Sequence, residues 1–438
     1  MSKPVITRFP PSPTGPLHVG NVRTALFDYY FARQNKGQFI VRVEDTDKAR
    51  SKKEYEENML IALKWLGIDK DNNEILRQSE RTEVYKKYLH KLIDEGKAYI
   101  SQETEGENKE VVRFKNPKIR VTFNDLIRGE VTIDTTDLED FIIARNINDP
   151  VYHLAVVVDD FEQGITHVIR GEDHISNTPR HILIQEAIGA PRPIYAHLPL
   201  ILAADRSKLS KRKHGEMVSL DYYRSQGYLP EALVNFLSLL GYNPTGDQEI
   251  YSLEDFIRIF DFSKVQKGGA IFNIEKLNWF NKKYIEKLDQ KAFLEHAKPF
   301  LPADISEAML AKLLPLLQEK ISFFAQISEL FKTELSFINP LAVYDLVKLV
   351  GKSDAPKVHL KKVIELLTPL SAADFSKEKV KEVIWSYAEE KGRGNVLWPM
   401  RYALSGLDRS PDPFVISDIL GREETLKRLI LAHDAILS

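Results

Sequence analysis

Cysteine is absent from all 438 residues. That excludes disulfides, thiol nucleophiles and Cys-ligated zinc. The opening "MSKPVITRFPP" lacks the long apolar core of a signal peptide, and no apolar run approaches a membrane span. A cytoplasmic location with no membrane attachment is expected. Charge of one sign is also lacking. The formal net charge is −2, so no global attraction to nucleic acid is present, although a local basic patch remains possible. Nothing is low-complexity, and no repeat of 20 to 50 residues is evident. A P-loop fails as well: "GKS" at 351–353 would need a Gly where Leu346 stands. His167, His174 and His181 are seven apart and could form a stripe on one helix, but a strand and Gly171 interrupt it, and no His/Glu spacing suggests zinc.

What is there reads as an α/β protein of about two to four domains. "PVITRF" is a short strand, the Pro/Ser/Gly stretch after it a turn, and Val19 begins a helix with Val22, Leu26, Tyr29 and Tyr30 on one face. "QFIVRVED" is a second strand, so the order is βαβ and the sheet parallel. Two amphipathic helices follow, ended by Gly67 and Gly96. Residues 99–150 carry four short strand-like runs, "EVVRF", "IRVTFND", "GEVTIDT" and "DFIIARN", the pattern of a small mixed insertion. "YHLAVVVDDF" reads as a buried strand and "THVIRGEDH" as another. "SNTPRHILIQEAIGAP" is a helix with Pro179 in its first turn, and "IYAHLPLIL" a strand leading to a basic loop. Beyond residue 220 the periodicity is almost wholly helical.

Four constellations carry chemistry. A turn between a first strand and a helix N-terminus is an anion site in α/β sheets, and His18 and Gly20 sit there; a packed turn is the plainer alternative. "KLSKRKHG", 208–215, is either a solvated charge run or a loop whose lysines neutralise a phosphate leaving group. At "VIRGEDH" a buried Arg170 needs a carboxylate, supplied by Glu172, by Asp173 or by a substrate. Glu44, Asp45 and Asp47 end the second strand, where they bind an amine, bind Mg²⁺ or cap the next helix.

Together these pieces resemble the glutamyl-tRNA synthetases of the class I aminoacyl-tRNA synthetases. "RFPPSPTGPLHVGNVRTALF" is similar to that family's first motif and "KLSKR" to its second. "VEDTD", "YHLAVVVDD", "ITHVIRGEDHISNTPRHILI", "GGAIFNIEKLNWFN" and "GRGNVLWPMRYALSG" follow in the family's order. The resemblance implies a Rossmann-type parallel-sheet catalytic domain (1–83 and 157–203) with an α+β acceptor-end insertion (84–156). A stem-contact domain with the lysine loop (204–289) and an all-α anticodon-binding region (290–438) follow. It implies ligation of L-glutamate to tRNA(Glu) by way of an adenylate, with ATP and Mg²⁺ but no zinc, in a monomer. Catalytic roles fall to His18, Lys208 and Lys211. ATP contacts fall to His18, Gly20, Asn21, Asp173, Lys208, Leu209, Ser210, Lys211 and Arg212. Arg8, Ser12 and Glu44 line the amino-acid site, with Glu44 on the α-ammonium. Tyr152 and Arg170 face the side-chain end, beside His174. Trp398 and Arg401 are candidates to stack on or bond tRNA bases. Asn21 departs from the His or small residue common at its position, and the zinc knuckle of many relatives is impossible here. A base-modifying relative would lack the helical half, and a small-molecule adenylyltransferase would need no RNA-sized extension.

Overall fold

The structure is a computed structural model, and it describes residues 4–103, 109–339 and 344–436. They fall into two compact units, Met1–Tyr284 and Ile285–Ser438.

The first unit begins with β1 (Ile6–Phe9), α1 (Val19–Gln34), β2 (Gln38–Val43), α2 (Lys53–Trp65), β3 (Leu76–Arg77) and α3 (Thr82–Asp94). Strands β1, β2 and β3 are parallel neighbours, with Thr7 opposite Phe39 and Val43 opposite Arg77. Apart from the half-buried Ile6, their β-branched and aromatic residues are buried, as in a sheet covered on both faces. Helix α1 is buried on more than the one face that periodicity predicts. Phe27 meets Phe260 edge-on at 5.2 Å, and the Tyr30 hydroxyl lies 2.6 Å from Ser238 Oγ. This covering on two sides also buries the polar Arg23 and Asp28.

Next come β4 (Ala98–Gln102), β5 (Glu110–Phe114), β6 (Arg120–Asp125), β7 (Gly129–Asp134), β8 (Phe141–Asn146), β9 (Asp149–Pro150) and α4 (Tyr152–Glu162). Then follow β10 (His167–Gly171), α5 (Thr178–Ile188), β11 (Ile194–Leu198) and β12 (Ile201–Leu202). The four strand-like runs are strands, but they do not form one separate sheet. Strands β4, β5, β8 and β9 pair together, whereas the β6–β7 hairpin joins β10 and β11 in the order β10-β11-β6-β7. The link is the bridge between Tyr195 and Asp125. Strand β10 lies beside β1 through Thr166, whose N–H donates to the Ile6 carbonyl at 3.0 Å.

"YHLAVVVDDF" is not a strand; it is helix α4. Every residue from Leu154 to Asp160 is buried. A helix enclosed on all sides shows a continuous apolar run, and such a run cannot be told from a buried strand by period alone. The extended Val151, after Pro150, starts it.

The first unit closes with α6 (Lys211–His214), α7 (Leu220–Ser225), α8 (Pro230–Leu239), α9 (Leu253–Ile259), β13 (Ala270–Ile271) and α10 (Ile274–Ile285). The second unit is helical: α11 (Gln290–Ala297), α12 (Glu307–Lys320), α13 (Gln326–Lys332), α14 (Leu346–Val350), α15 (Pro356–Leu367), α16 (Lys377–Lys391), α17 (Arg393–Ser405) and α18 (Pro413–Ala435). Its core includes Leu360, Val363, Ile384, Val396, Met400 and Leu429. Gly421, at φ 75°, breaks the regular helix inside α18.

Candidate active site

The carboxyl ends of β1, β2, β10 and β11 open onto two adjoining cavities, where an α/β sheet binds its ligands. One has a volume of about 370 Å³ and is lined by Arg8, Ser12, Glu44, Tyr152, Arg170 and His174. The other, of about 280 Å³, is lined by His18, Gly20, Asn21, Asp173, Lys208 and Leu209. Asn21, Thr24, Gly171 and His174 line both.

His18 caps α1. Its Nδ1 accepts the Gly20 N–H at 2.9 Å, so the neutral ring carries its proton on Nε2. Gly20 is small because a Cβ there would lie 3.2 Å from that same Nδ1. Burial lowers the His18 pKa, and Lys208 beside it lowers it further, against a main-chain hydrogen bond to Leu209. The ring is therefore neutral at pH 7.

Behind the first cavity, charges form a buried chain from Arg8 and Glu44, which line it, to Arg42 and Asp160, which do not. Arg8 Nε donates to Asp160 Oδ1 at 3.3 Å, Arg42 donates to the same oxygen at 2.5 Å, and Arg42 also donates to Glu44 Oε1 at 3.1 Å. Burial raises the Glu44 pKa, although Arg42 pulls it down. Burial would raise Asp160 too, but Arg42 and Arg8 outweigh it and hold its carboxyl below the usual range. Neither Arg42 nor Asp160 was marked by the sequence as part of the site. The available signal was a charge inside each buried run, at "IVRV" and "VVVDD".

Arg170 is 6% exposed. Among the described residues it bonds no carboxylate. Glu172 pairs with Arg128 and accepts the Leu200 N–H, and Asp173 pairs with Lys208 at 2.9 Å. Arg170 instead donates to His197 Nε2, His181 Nδ1 and Thr178 Oγ1. The three acidic residues after β2 diverge. Glu44 faces the cavity, Asp45 accepts the Ser79 N–H at 2.8 Å, and Asp47 holds Arg50. Among the described residues, no group of three or more His, Asp or Glu side chains could hold a metal ion.

The lysine segment is split. Leu202 bridges Lys208, and the Leu209 N–H donates to Ile201, which fixes its first half against β12. Lys211 then begins the short α6, pairs with Glu216 at 3.1 Å and lies outside both cavities with Ser210 and Arg212. In the helical unit, the Trp398 indole donates to the Lys348 carbonyl, and Arg401 stacks on Trp398 at 4.7 Å while bonding Ser410. A larger cavity there, about 620 Å³, has only Asp304 and Lys332 as charged lining residues. It lacks the convergent polar groups of a reaction site.

The family model of the class I tRNA synthetase (E and Q) catalytic domain matches residues 4–107 and 100–279. The chain belongs to this family. A model of the anticodon binding domain matches residues 292–432. A glutamate–tRNA ligase of Thermodesulfovibrio yellowstonii is 38% identical over 471 residues, covering 98% of this chain and all of that protein. One from Aquifex aeolicus is 51% identical over 340 residues, 69% of this chain and 71% of the relative. The crystal structure of a glutamate tRNA ligase from Elizabethkingia meningosepticum, in complex with its amino acid, superposes with a TM-score of 0.88 at 33% identity. It covers 99% of this chain and all of that one. The class I fold agrees with the parallel sheet, and the helical anticodon-binding unit follows it in the chain.

Proposed function

We propose that this enzyme ligates L-glutamate to the 3′ end of tRNA(Glu) through a glutamyl-adenylate. The observation that carries the reading is the pair of adjoining cavities at one sheet edge. One presents an acid and two arginines, and the other a helix N-terminus, a neutral His and a lysine.

Glutamate occupies the first cavity. Its α-ammonium meets Glu44, whose Oε1 already holds Arg42 and whose position is thereby fixed. Its side-chain carboxylate faces Arg170 and Tyr152, with Arg8 and Ser12 completing the lining and His174 beside them. The α-carboxylate points to the second cavity, where the α-phosphate of ATP lies against the turn at His18, Gly20 and Asn21. A carboxylate oxygen attacks that phosphorus, and the bond to the β-phosphate oxygen breaks. Pyrophosphate leaves with the electron pair. No protein nucleophile is required; positioning and charge stabilisation carry the step. Lys208 releases Asp173 and follows the leaving group. The segment bearing Ser210, Lys211 and Arg212 closes over the phosphates, which takes Lys211 away from Glu216. Asp173, freed, contacts the nucleotide. Mg²⁺ would come bound to the ATP phosphates and neutralise their charge, beside a cavity whose lining includes Lys208 and a single carboxylate, Asp173. No protein-bound zinc takes part. The terminal ribose hydroxyl of tRNA then attacks the acyl carbon and AMP leaves.

The helical unit holds the anticodon arm, with Trp398 and Arg401 among the candidate contacts. On this reading the enzyme is a cytoplasmic monomer. Within the first unit, residues 84–156 are assigned to the acceptor end and 204–289 to the stem, with the β6–β7 hairpin of the former shared with the β10–β11 sheet. The test is the product balance with ATP, labelled glutamate and a tRNA(Glu) transcript. One AMP per glutamyl-tRNA supports the adenylate route; ADP in its place overturns it.

A further inference from the structure

Arg170 is a buried cation that, among the described residues, bonds no carboxylate, and its surroundings explain how it is held. Each guanidinium nitrogen is engaged by a neutral acceptor. Nε donates to His197 Nε2 at 3.2 Å, one terminal nitrogen to His181 Nδ1 at 3.1 Å, and the other to Thr178 Oγ1 at 2.8 Å. The Tyr195 ring lies 5.7 Å away. A guanidinium only donates, so both imidazole nitrogens facing it carry no proton. That fixes two tautomers. His197 must hold its proton on Nδ1, and there it meets Asp125 Oδ2 at 2.6 Å. His181 must hold its proton on Nε2, where it meets His153 Nδ1 at 3.1 Å.

We propose that His181, His197 and Thr178 form a neutral cradle that fixes the plane of Arg170 while leaving its charge for the substrate's side-chain carboxylate, and that Asp125 sets the tautomer of His197. The inference rests on the assignment of Arg170 to that carboxylate. A carboxylate in place of either histidine would orient Arg170 equally well but would cancel its charge and compete with the ligand. Neutral acceptors satisfy the donors without doing so. Asp125 is itself locked. Oδ2 also accepts the His197 main-chain N–H at 3.0 Å, and Oδ1 accepts those of Ile127 and Arg128. It ends β6, so the β6–β7 hairpin, two elements away in the sheet from β10, acts on the amino-acid cavity through His197. Burial, and then Arg170, hold the His181 pKa well below its ordinary value. Burial lowers His197 as well, against the pull of Asp125. These are positioning residues; none of the three side chains lines the cavity.

The first measurement is on the wild type. Selectively ¹⁵N-labelled histidine should show His197 as the Nδ1–H form and His181 as the Nε2–H form at pH 7, and an imidazolium at either position overturns the cradle. The second is kinetic, in aminoacylation. His181→Leu removes the acceptor, and His181→Asn returns an oxygen near the position of Nδ1. The Leu variant should raise KM for glutamate roughly 10- to 100-fold with KM for ATP unmoved, and the Asn variant should recover most of it. Equal impairment in both, or a parallel rise in KM for ATP, marks a structural role and overturns the proposal. Asp125→Asn should turn His197 to its other tautomer, donor against donor, and raise KM for glutamate in the same way. Arg170→Met separates the two layers. Unchanged KM for glutamate there overturns the substrate assignment, whereas impaired Arg170→Met with normal His181→Leu overturns the cradle alone.

Discussion

Two buried acids of the first unit behave oppositely. Asp160 is held ionised by Arg8 and Arg42, whereas among the described residues neither side-chain oxygen of Asp28 has a hydrogen-bond partner. Burial pushes the Asp28 pKa well above the carboxylate range, against the pull of Arg8. A carboxyl raised in this way contributes most below its unfolded value and loses stability as pH climbs toward its folded value. Asp28→Asn should therefore be more stable than wild type at neutral pH, with a gap that widens from pH 5 upward by up to ~1.4 kcal/mol per unit. Denaturant titrations at pH 5, 6 and 7 measure it, and parallel stability curves would count against the argument. Arg42→Met should do the reverse and cost about 3–5 kcal/mol, because it takes the ion-pair partner from buried Glu44 and leaves Asp160 with Arg8 alone. Wild-type-like melting would contradict that. The residues that line the cavities were legible because they sit in ordered motifs at strand ends. Their partners were not. Arg8 and Asp160 are 152 positions apart, and no local pattern says which charge meets which.

At the scale of elements, the strand–turn–helix around His18 was readable from local signals alone: β-branched residues, a Pro-rich turn, then helical spacing. Helix α4 was not, since enclosure removes the polar face that gives a helix its period. The β6–β7 hairpin was readable as strands but not as part of the main sheet. Its partner β11 lies some seventy residues on, and pairing at that range leaves no trace in composition. The lysine segment divides between a fixed Lys208 and an outlying Lys211. If α6 swings over the phosphates, Lys211→Ala should slow adenylate formation roughly 10²–10³-fold with glutamate affinity nearly unchanged. A normal single-turnover rate in that variant would leave the outlying position as its only state.

For the whole molecule, the division at Tyr284 and Ile285 separates the two cavities of the sheet edge from the helices that match an anticodon-binding model. A chain ending after Leu288 should keep ATP and glutamate binding and lose most of its affinity for tRNA; retained affinity would contradict the assignment of the helical unit. On the proposed reading, the enzyme selects glutamate by its charge. A guanidinium holds a carboxylate by two parallel hydrogen bonds, whereas an amide presents an NH₂ to a donor and leaves buried groups unpaired. Sites built this way discriminate by 10⁴-fold or so. The most direct measurement is aminoacylation by the wild type and by Arg170→Ala, with glutamate and glutamine side by side, on purified tRNA(Glu) and tRNA(Gln). Glutamate should be attached to tRNA(Glu) and glutamine refused, with most glutamate activity lost in the variant. Glutamine charged at a rate comparable to glutamate, or unaltered glutamate kinetics in Arg170→Ala, would rule out selection by the Arg170 charge.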